Sequence, residues 1–461
     1  MTSSADGEAT PPSPRPGQQL TQHLTQQLGL FDATMMVMGG IVGAGVFMNP
    51  YVVAQRLHTP VLILAVWIAG GAIAIVGSFI YAELGARIPK VGGQYVYLRE
   101  ALHPVFGFLY GWALLLIIQT GGMAAVAVTF ARYFLELTGL PVSERTIVIA
   151  TLALLTAINC LGVKVGSRVQ SILMVLKIGA IACLVAGGFF LVKHPHPVLH
   201  PVLDRPMSFD LLTAMGAAMV PVIFSYGGWQ TTNFIAGEIR NPRRNLARAL
   251  VIGVAGVVAL YVSVNLVCVR ALGVDALAAT NVPASAVMRI VAGEPGARLI
   301  ALGIAVSTVG FLSQSVLTAP RVYFAMAEDG LFFRSVAYLS KRTNAPVVAI
   351  VLQSCWTLVI AMTGRYDQIL NFQVPIDATF FGLSAACLFV LRHRDRVAGS
   401  REPGFRVPGH PVTTAVFILA CWAIVANALW KYPRNSFVGV FILLLGLPVY
   451  FWRSRRKQEV V

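Results

Sequence analysis

The chain has 461 residues, of which 57% are hydrophobic and only 12% charged. Soluble domains carry about 25% charged residues, so this composition excludes an ordinary soluble enzyme or binding domain and points to a polytopic membrane protein. The net charge of +16 is one a nucleic-acid-binding protein could carry, but in so apolar a chain the basic residues belong to loops between spans, and nucleic acid is not expected as a partner.

Residues 1–27, MTSSADGEATPPSPRPGQQLTQHLTQQ, are polar and rich in Pro, Ser and Gln. They read as a disordered tail, without the apolar stretch of a signal peptide. Beyond them, twelve apolar runs reach the length of about 20 residues that crosses a bilayer. Five lie in 28–192, centred near Gly43, Ile73, Leu116, Leu154 and Ile181. Five lie in 208–392, near Ser225, Val258, Val309, Leu352 and Ala378, and two in 411–453, near Ile418 and Leu444. A basic tail, 454–461, follows. With the N-terminus inside, Lys and Arg favour the cytoplasmic segments by about two to one, as the positive-inside rule requires. That predicts both termini in the cytoplasm.

Two spans are weak where a helix should be strong. GGIVGAGVFMNP, from Gly39 to Pro50, puts four glycines in the first span, each costing a helix interior roughly 1 kcal/mol relative to alanine. FSYGGWQTTNF, from Phe224 to Phe234, interrupts the sixth. With five spans per half, the first and sixth correspond and run in opposite directions, the pattern of an inverted repeat with its substrate site at the paired breaks. An unwound stretch frees backbone N–H and C=O groups in a dry medium. The positive end of the half-helix after the break suits a carboxylate, and free carbonyls suit an ammonium. Together they match a zwitterionic amino acid.

The fifth span carries Lys177 in ILMVLKIGAIACLVAG. A central lysine costs about 2.5–3.5 kcal/mol on insertion scales. Nine residues from Arg168, it lies about 13 Å along the helix, too deep for easy snorkelling. It is expected to bridge the first break and the eighth span, near Ser307 and Thr308. Asp377 in the tenth span is a second intramembrane charge that could line the pathway. Glu238 closes the sixth span before IRNPRRN, where the residues alone read as a solvated helix end. Glu83 and Arg87 form an i,i+4 pair. The eight histidines lie in loops, the tail or span ends, and the six cysteines show no ligand spacing, so no metal or other cofactor is expected. No G-x-x-x-x-G-K-[ST] motif occurs, which leaves gradients or exchange as the energy source.

The IVGAGVF…NP motif resembles the first-helix signature of the amino acid–polyamine–organocation superfamily. FSYGGWQTTNFIAGEIRNPRRNLARAL and NCLGVKVGSRVQ resemble the sixth-helix and fifth-helix regions of its L-type amino acid transporter branch, and the likeness covers about residues 28–455. The resemblance implies a LeuT-like fold, two inverted five-helix repeats plus two helices, with helices 1 and 6 discontinuous. It implies sodium-independent transport of neutral amino acids by alternating access, as exchanger or proton symporter. By position, backbone at Ile41, Gly43, Ala44 and Gly45 would hold the substrate carboxylate, and Phe224, Ser225 and Gly227 the ammonium. Phe224 would gate the outer side. Trp229, Glu238, Lys177, Ser307 and Thr308 join it as gating or coupling residues, Glu238 as an inner-gate contact with the basic residues of the following loop and the lysine standing in for a sodium ion. Two departures bear on substrate. Ala44 replaces a serine, leaving the carboxylate to backbone donors. Gln230 sits where cation-accepting relatives place an acid, which argues against lysine or arginine. No cysteine lies between Arg132 and Arg145, so no disulfide-linked heavy chain is expected, and a bacterial cytoplasmic-membrane protein is. A carrier of cationic amino acids or polyamines on the same fold is the alternative; a membrane-embedded enzyme or a channel fits the histidine placement and the paired breaks less well.

Overall fold

A computed structural model of the chain describes residues 24–203, 206, 208–363, 366–399, 404–431 and 433–458. Most of the polar tail expected over 1–27 lies outside them, as do residues 459–461. The first span divides into α1 (Leu30–Ile41) and α2 (Gly45–Ala54). There follow α3 (Pro60–Arg87), the short α4 (Gln94–Ala101) and α5 (Pro104–Ala113). A π-helical turn, Leu114–Ile118, joins α5 to α6 (Gln119–Thr138), and α7 (Glu144–Cys160) and α8 (Val163–Phe190) complete the first half. The second half opens with α9 (Phe209–Tyr226), which stops at two glycines and resumes as a 3-10 segment, Trp229–Glu238. Then come α10 (Pro242–Ala279), α11 (Pro283–Thr318), α12 (Pro320–Glu328), α13 (Val347–Thr363) and α14 (Tyr366–Ala398). The last helices are α15 (Val412–Lys431), α16 (Pro433–Leu444) and α17 (Gly446–Gln458); the basic residues expected as a tail from 454 thus continue α17 as far as 458.

Local chemistry sets many of these starts. Proline opens α3, α5, α10, α11 and α12, where its missing N–H costs nothing and its φ is already helical. Ser143 and Ser208 cap α7 and α9, their side chains accepting from Thr146 N and Leu211 N, and so satisfy amides the helix leaves open.

Among the described residues, ten segments are long and apolar enough to cross a membrane, and the molecule is a multi-pass membrane protein. Of the twelve expected spans, the fourth and ninth fall short of that length. They are α7 and α13, 17 residues each, or about 26 Å of helix against a hydrocarbon core of about 30 Å. The spans pack through small residues, as membrane helices do. A Cβ on Gly71 of α3 would come within 2.8 Å of Val258 on α10, and one on Gly188 of α8 within 2.1 Å of Val267 on the same helix.

At one end of the bundle, Glu83 is more than half of a helical pair. Its fully buried carboxylate accepts from Arg87 at 2.7 Å, from Arg392 of α14 at 2.5 and 2.9 Å, and from the backbone N–H of Val407 at 2.7 Å. Arg87 also reaches Asp395. One carboxylate therefore ties α3, α14 and the segment before α15 together, with the lone pairs that burial would otherwise leave unmet all used.

Candidate binding site at the helix breaks

The first break follows from the geometry of its residues. The N–H of Val42 still bonds Met38 O at 2.8 Å, but its ψ of 95° leaves the helix. Helical bonding resumes with Phe47 N on Ala44 O at 3.1 Å. Between them the carbonyls of Ile41, Val42 and Gly43 lose their helical donors. Each is met by a side chain from a different helix: Tyr261 Oη of α10 donates to Ile41 O at 3.0 Å, Lys177 Nζ of α8 to Val42 O at 2.6 Å, and Ser307 Oγ of α11 to Gly43 O at 3.2 Å. All three donors are fully buried, so no water competes for these carbonyls. On the other side, the N–H groups of Gly45 and Val46, first in α2, have no acceptor within the helix, and they sit at its positive end.

The second break lies against the first. Gly228 has φ 111°, and its backbone touches that of Gly40. A Cβ on Gly228 would stand 2.0 Å from Gly40 O, and one on Gly40 would stand 2.7 Å from Gly228 O. Only glycine fits either position. Gly228 O accepts from Thr231 Oγ1 at 2.7 Å, and Gly228 N donates to Gln230 Oε1 at 3.0 Å. Lower in α9, Ser225 Oγ donates to Pro221 O at 2.8 Å and accepts from Asn49 Nδ2 of α2 at 2.7 Å. The last carbonyls of α9, its negative end, thus face the opening of α2, its positive one.

A cavity of about 120 Å³ lies between the breaks. Ile41, Gly43, Ala44 and Gly45 line one side and Phe224, Ser225, Gly227, Trp229 and Gln230 another. Trp229 is held there by Phe381, stacked at 5.2 Å, and by Tyr81, edge-on at 4.8 Å.

The residues expected at the site divide accordingly. Those of both breaks reach the cavity, though the Gln230 oxygen is spent on Gly228 and the Ser225 hydroxyl on Pro221 and Asn49. Lys177 and Ser307 stand behind the first break, holding its carbonyls. Lys177 also abuts α11, where a Cβ on Gly310 would meet its Cε at 2.6 Å. Thr308 bonds Ala305 O of its own helix at 2.7 Å and does not reach the break. Glu238 is buried and pairs with the equally buried Arg321 of α12 at 2.8 Å, rather than with the arginines of IRNPRRN. The 3-10 segment that Glu238 ends is also fastened to the start of the first span: Gln27 N and Leu28 N donate to Glu238 O at 2.8 and 3.0 Å, and Arg240 N to Leu28 O at 2.9 Å. Tyr261 and Asn49 were not foreseen. A hydroxyl within VVALYVSVNLV was the available signal for Tyr261, since a buried tyrosine needs a partner.

A membrane protein whose spans break against each other, with opposite helix poles facing one small cavity, is built as a carrier for a small polar solute. Residues 28–452 match the amino acid permease family, and the chain belongs to it. It is 29% identical to the serine/threonine exchanger SteT of Bacillus subtilis over 440 residues, 95% of this chain and 98% of the relative. Over 449 residues it is 30% identical to the large neutral amino acids transporter small subunit 2 of Homo sapiens, covering 94% of this chain and 82% of that one. The Asc-type amino acid transporter 1 of Mus musculus is 29% identical over 453 residues, 94% and 83% of the two chains. The family is one of transporters, not enzymes.

Proposed function

We propose that the protein carries neutral amino acids across the membrane by alternating access, without sodium, as an exchanger or a proton-coupled symporter. The observation that carries this reading is the meeting of the two breaks. The α2 amides at Gly45 and Val46 offer donors to a carboxylate, while the α9 carbonyls at Phe224, Ser225 and Gly227 offer acceptors to an ammonium. Ile41, Gly43 and Ala44 complete the carboxylate wall, Phe224 and Trp229 close the site, and Gln230 shapes it. The amino group of Lys177 occupies the space between the first break and α11 that a coupling cation would take, with Ser307 beside it.

The full architecture in this reading has twelve crossings, counting α7 and α13, as two inverted repeats over 28–192 and 208–392 in the LeuT-like manner, with 411–453 added. Support comes from the paired irregularities of the first and sixth spans, whose breaks lie against each other at Gly40 and Gly228. Both termini then face the cytoplasm, and the protein works without a disulfide-linked heavy chain. Asp377 on the cavity wall favours a second reading, carriage of cationic amino acids or polyamines.

Counterflow in proteoliposomes decides. Vesicles preloaded with one amino acid should take up labelled neutral amino acids from a panel that also holds lysine and putrescine, with and without a pH gradient. No uptake of any amino acid under either condition sinks the proposal; uptake of lysine or putrescine alone selects the second reading. The same assay tests Tyr261→Phe. Loss of its hydroxyl strands the Ile41 carbonyl in a dry site, at a cost of about 1–2 kcal/mol, and uptake should fall about tenfold. Uptake at the wild-type rate would mean that the carbonyl needs no donor there.

A further inference from the structure

The cavity has a wall that the breaks do not build. One face of α14 presents Gln373, Asp377 and Phe381 to it, a helical stripe at spacing four, and Gln119 and Gly122 of α6 stand on the cavity as well. Gln119 follows directly on the π-helical turn Leu114–Ile118, an irregularity that re-aims side chains at functional sites. Two acceptors in this wall have no partner among the described residues. Asp377 Oδ1 is shielded from solvent and unbonded, and Gln373, only 9% exposed, leaves Oε1 unbonded. A buried acceptor without a donor costs about 1–3 kcal/mol. Two of them, one helical turn apart on side chains that line the cavity, are a standing demand for a donor that a small shift of either side chain would let the cavity's occupant meet. The polar groups of the breaks cannot answer it, because those are engaged with each other or with the substrate's charged ends.

We infer, building on the carrier reading above, that Asp377, assisted by Gln373, determines specificity for the substrate's side chain, favouring small amino acids whose side chain donates a hydrogen bond, through a hydroxyl or amide, over aliphatic ones of equal size. The acceptors of this wall are placed beyond the break rather than within it, on the side away from the groups that would hold the substrate's charged ends. A site built around hydrogen-bonding a substrate group rejects the analogue lacking that group far more strongly than an apolar pocket, which separates molecules by only about 10- to 200-fold. Threonine and valine make the sharpest pair, since they differ in shape hardly at all and in a hydroxyl entirely.

The test is counterflow with threonine, valine and lysine for the intact protein and for Asp377→Asn and Asp377→Leu. The expected result is a threonine-to-valine ratio of kcat/KM of at least 10 in the unmodified protein. Asp377→Asn, which keeps an acceptor oxygen, should retain part of it, and Asp377→Leu should bring it to about 1 or reverse it while valine is still carried. An unchanged ratio in Asp377→Leu overturns the inference. So does loss of pH dependence in Asp377→Asn with the ratio unchanged, which makes the residue a proton carrier, and so does a preference for lysine that Asp377→Leu abolishes, which makes it a counter-charge. If Asp377→Leu carries nothing, thermal shifts of the purified variant with threonine and valine give the ratio, judged the same way. Failure of every amino acid in the unmodified protein would instead count against the carrier reading itself.

Discussion

Lys177→Met should cut transport at least tenfold and leave the protein folded. Methionine fills nearly the same volume and leaves no unpaired group of its own, so packing is kept and the cost falls on the acceptor the lysine leaves behind. What is lost is the donor at 2.6 Å to Val42 O. That carbonyl exists as a free group only because the helix opens at Val42 and Gly43, so removing its partner raises the energy of the open form specifically. A hydrogen bond from a charged or strongly polar group contributes about 1.5–3 kcal/mol, which corresponds to a fall of roughly 10- to 150-fold in the population of the working geometry. Uptake of a labelled neutral amino acid in proteoliposomes should fall at least tenfold, while the unfolding temperature in detergent stays within a few degrees. Full uptake would show that the lysine does not hold the break in its transporting form; a collapse in unfolding temperature would show that it holds the fold instead.

Gly228→Ala should do the opposite, damaging the fold first. The substitution asks an L-residue to adopt φ 111° and places a methyl 2.0 Å from Gly40 O. A left-handed conformation costs roughly 1–2 kcal/mol, and overpacking a close contact adds about 1–3 kcal/mol. A membrane protein of ordinary marginal stability should then show a lower yield of monodisperse protein and a lower melting temperature, with uptake lost in proportion to what remains misfolded. Gly40→Ala should be milder, because its own backbone is helical and its two close contacts, Gly228 O at 2.7 Å and the rotatable Thr231 hydroxyl at 2.9 Å, are less severe. Equal effects of the two substitutions would mean that crowding alone, and not backbone conformation, makes glycine necessary at 228.

Much of this was readable in the chain. Apolar runs of bilayer length gave the spans, because in lipid every backbone group must be satisfied internally and long helices are the simple way to do it. The breaks at Gly43–Gly45 and Gly227–Gly228 were visible because glycine is the residue such backbones require. Lys177 stood out because its position is costly unless used. The missing parts have a common physical reason: sequence shows which groups are out of place but not which distant groups meet them. Tyr261 lies more than two hundred residues from Ile41, and Arg321, the buried partner of Glu238, lies 83 residues from it. Span length was harder to read at α7, where the loop residues before Glu144 and the turn at Leu161 hold the helix to 17 residues within a longer apolar stretch. Asp377 was noticed as a charge, yet its meaning rested on the empty acceptors beside it, which only packing reveals.

The pairing of Leu28 with Ile239 carries a mechanical consequence. The half-helix α1 and the 3-10 segment touch at Gly40 and Gly228 near the cavity, and are stitched again by main-chain bonds at their far ends. Two struts pinned at two separate points behave as one lever: neither can tilt without carrying the other. The half-spans on that side of the breaks are therefore geared together, and any movement that opens or closes the cavity from there shifts both of them in a single stroke.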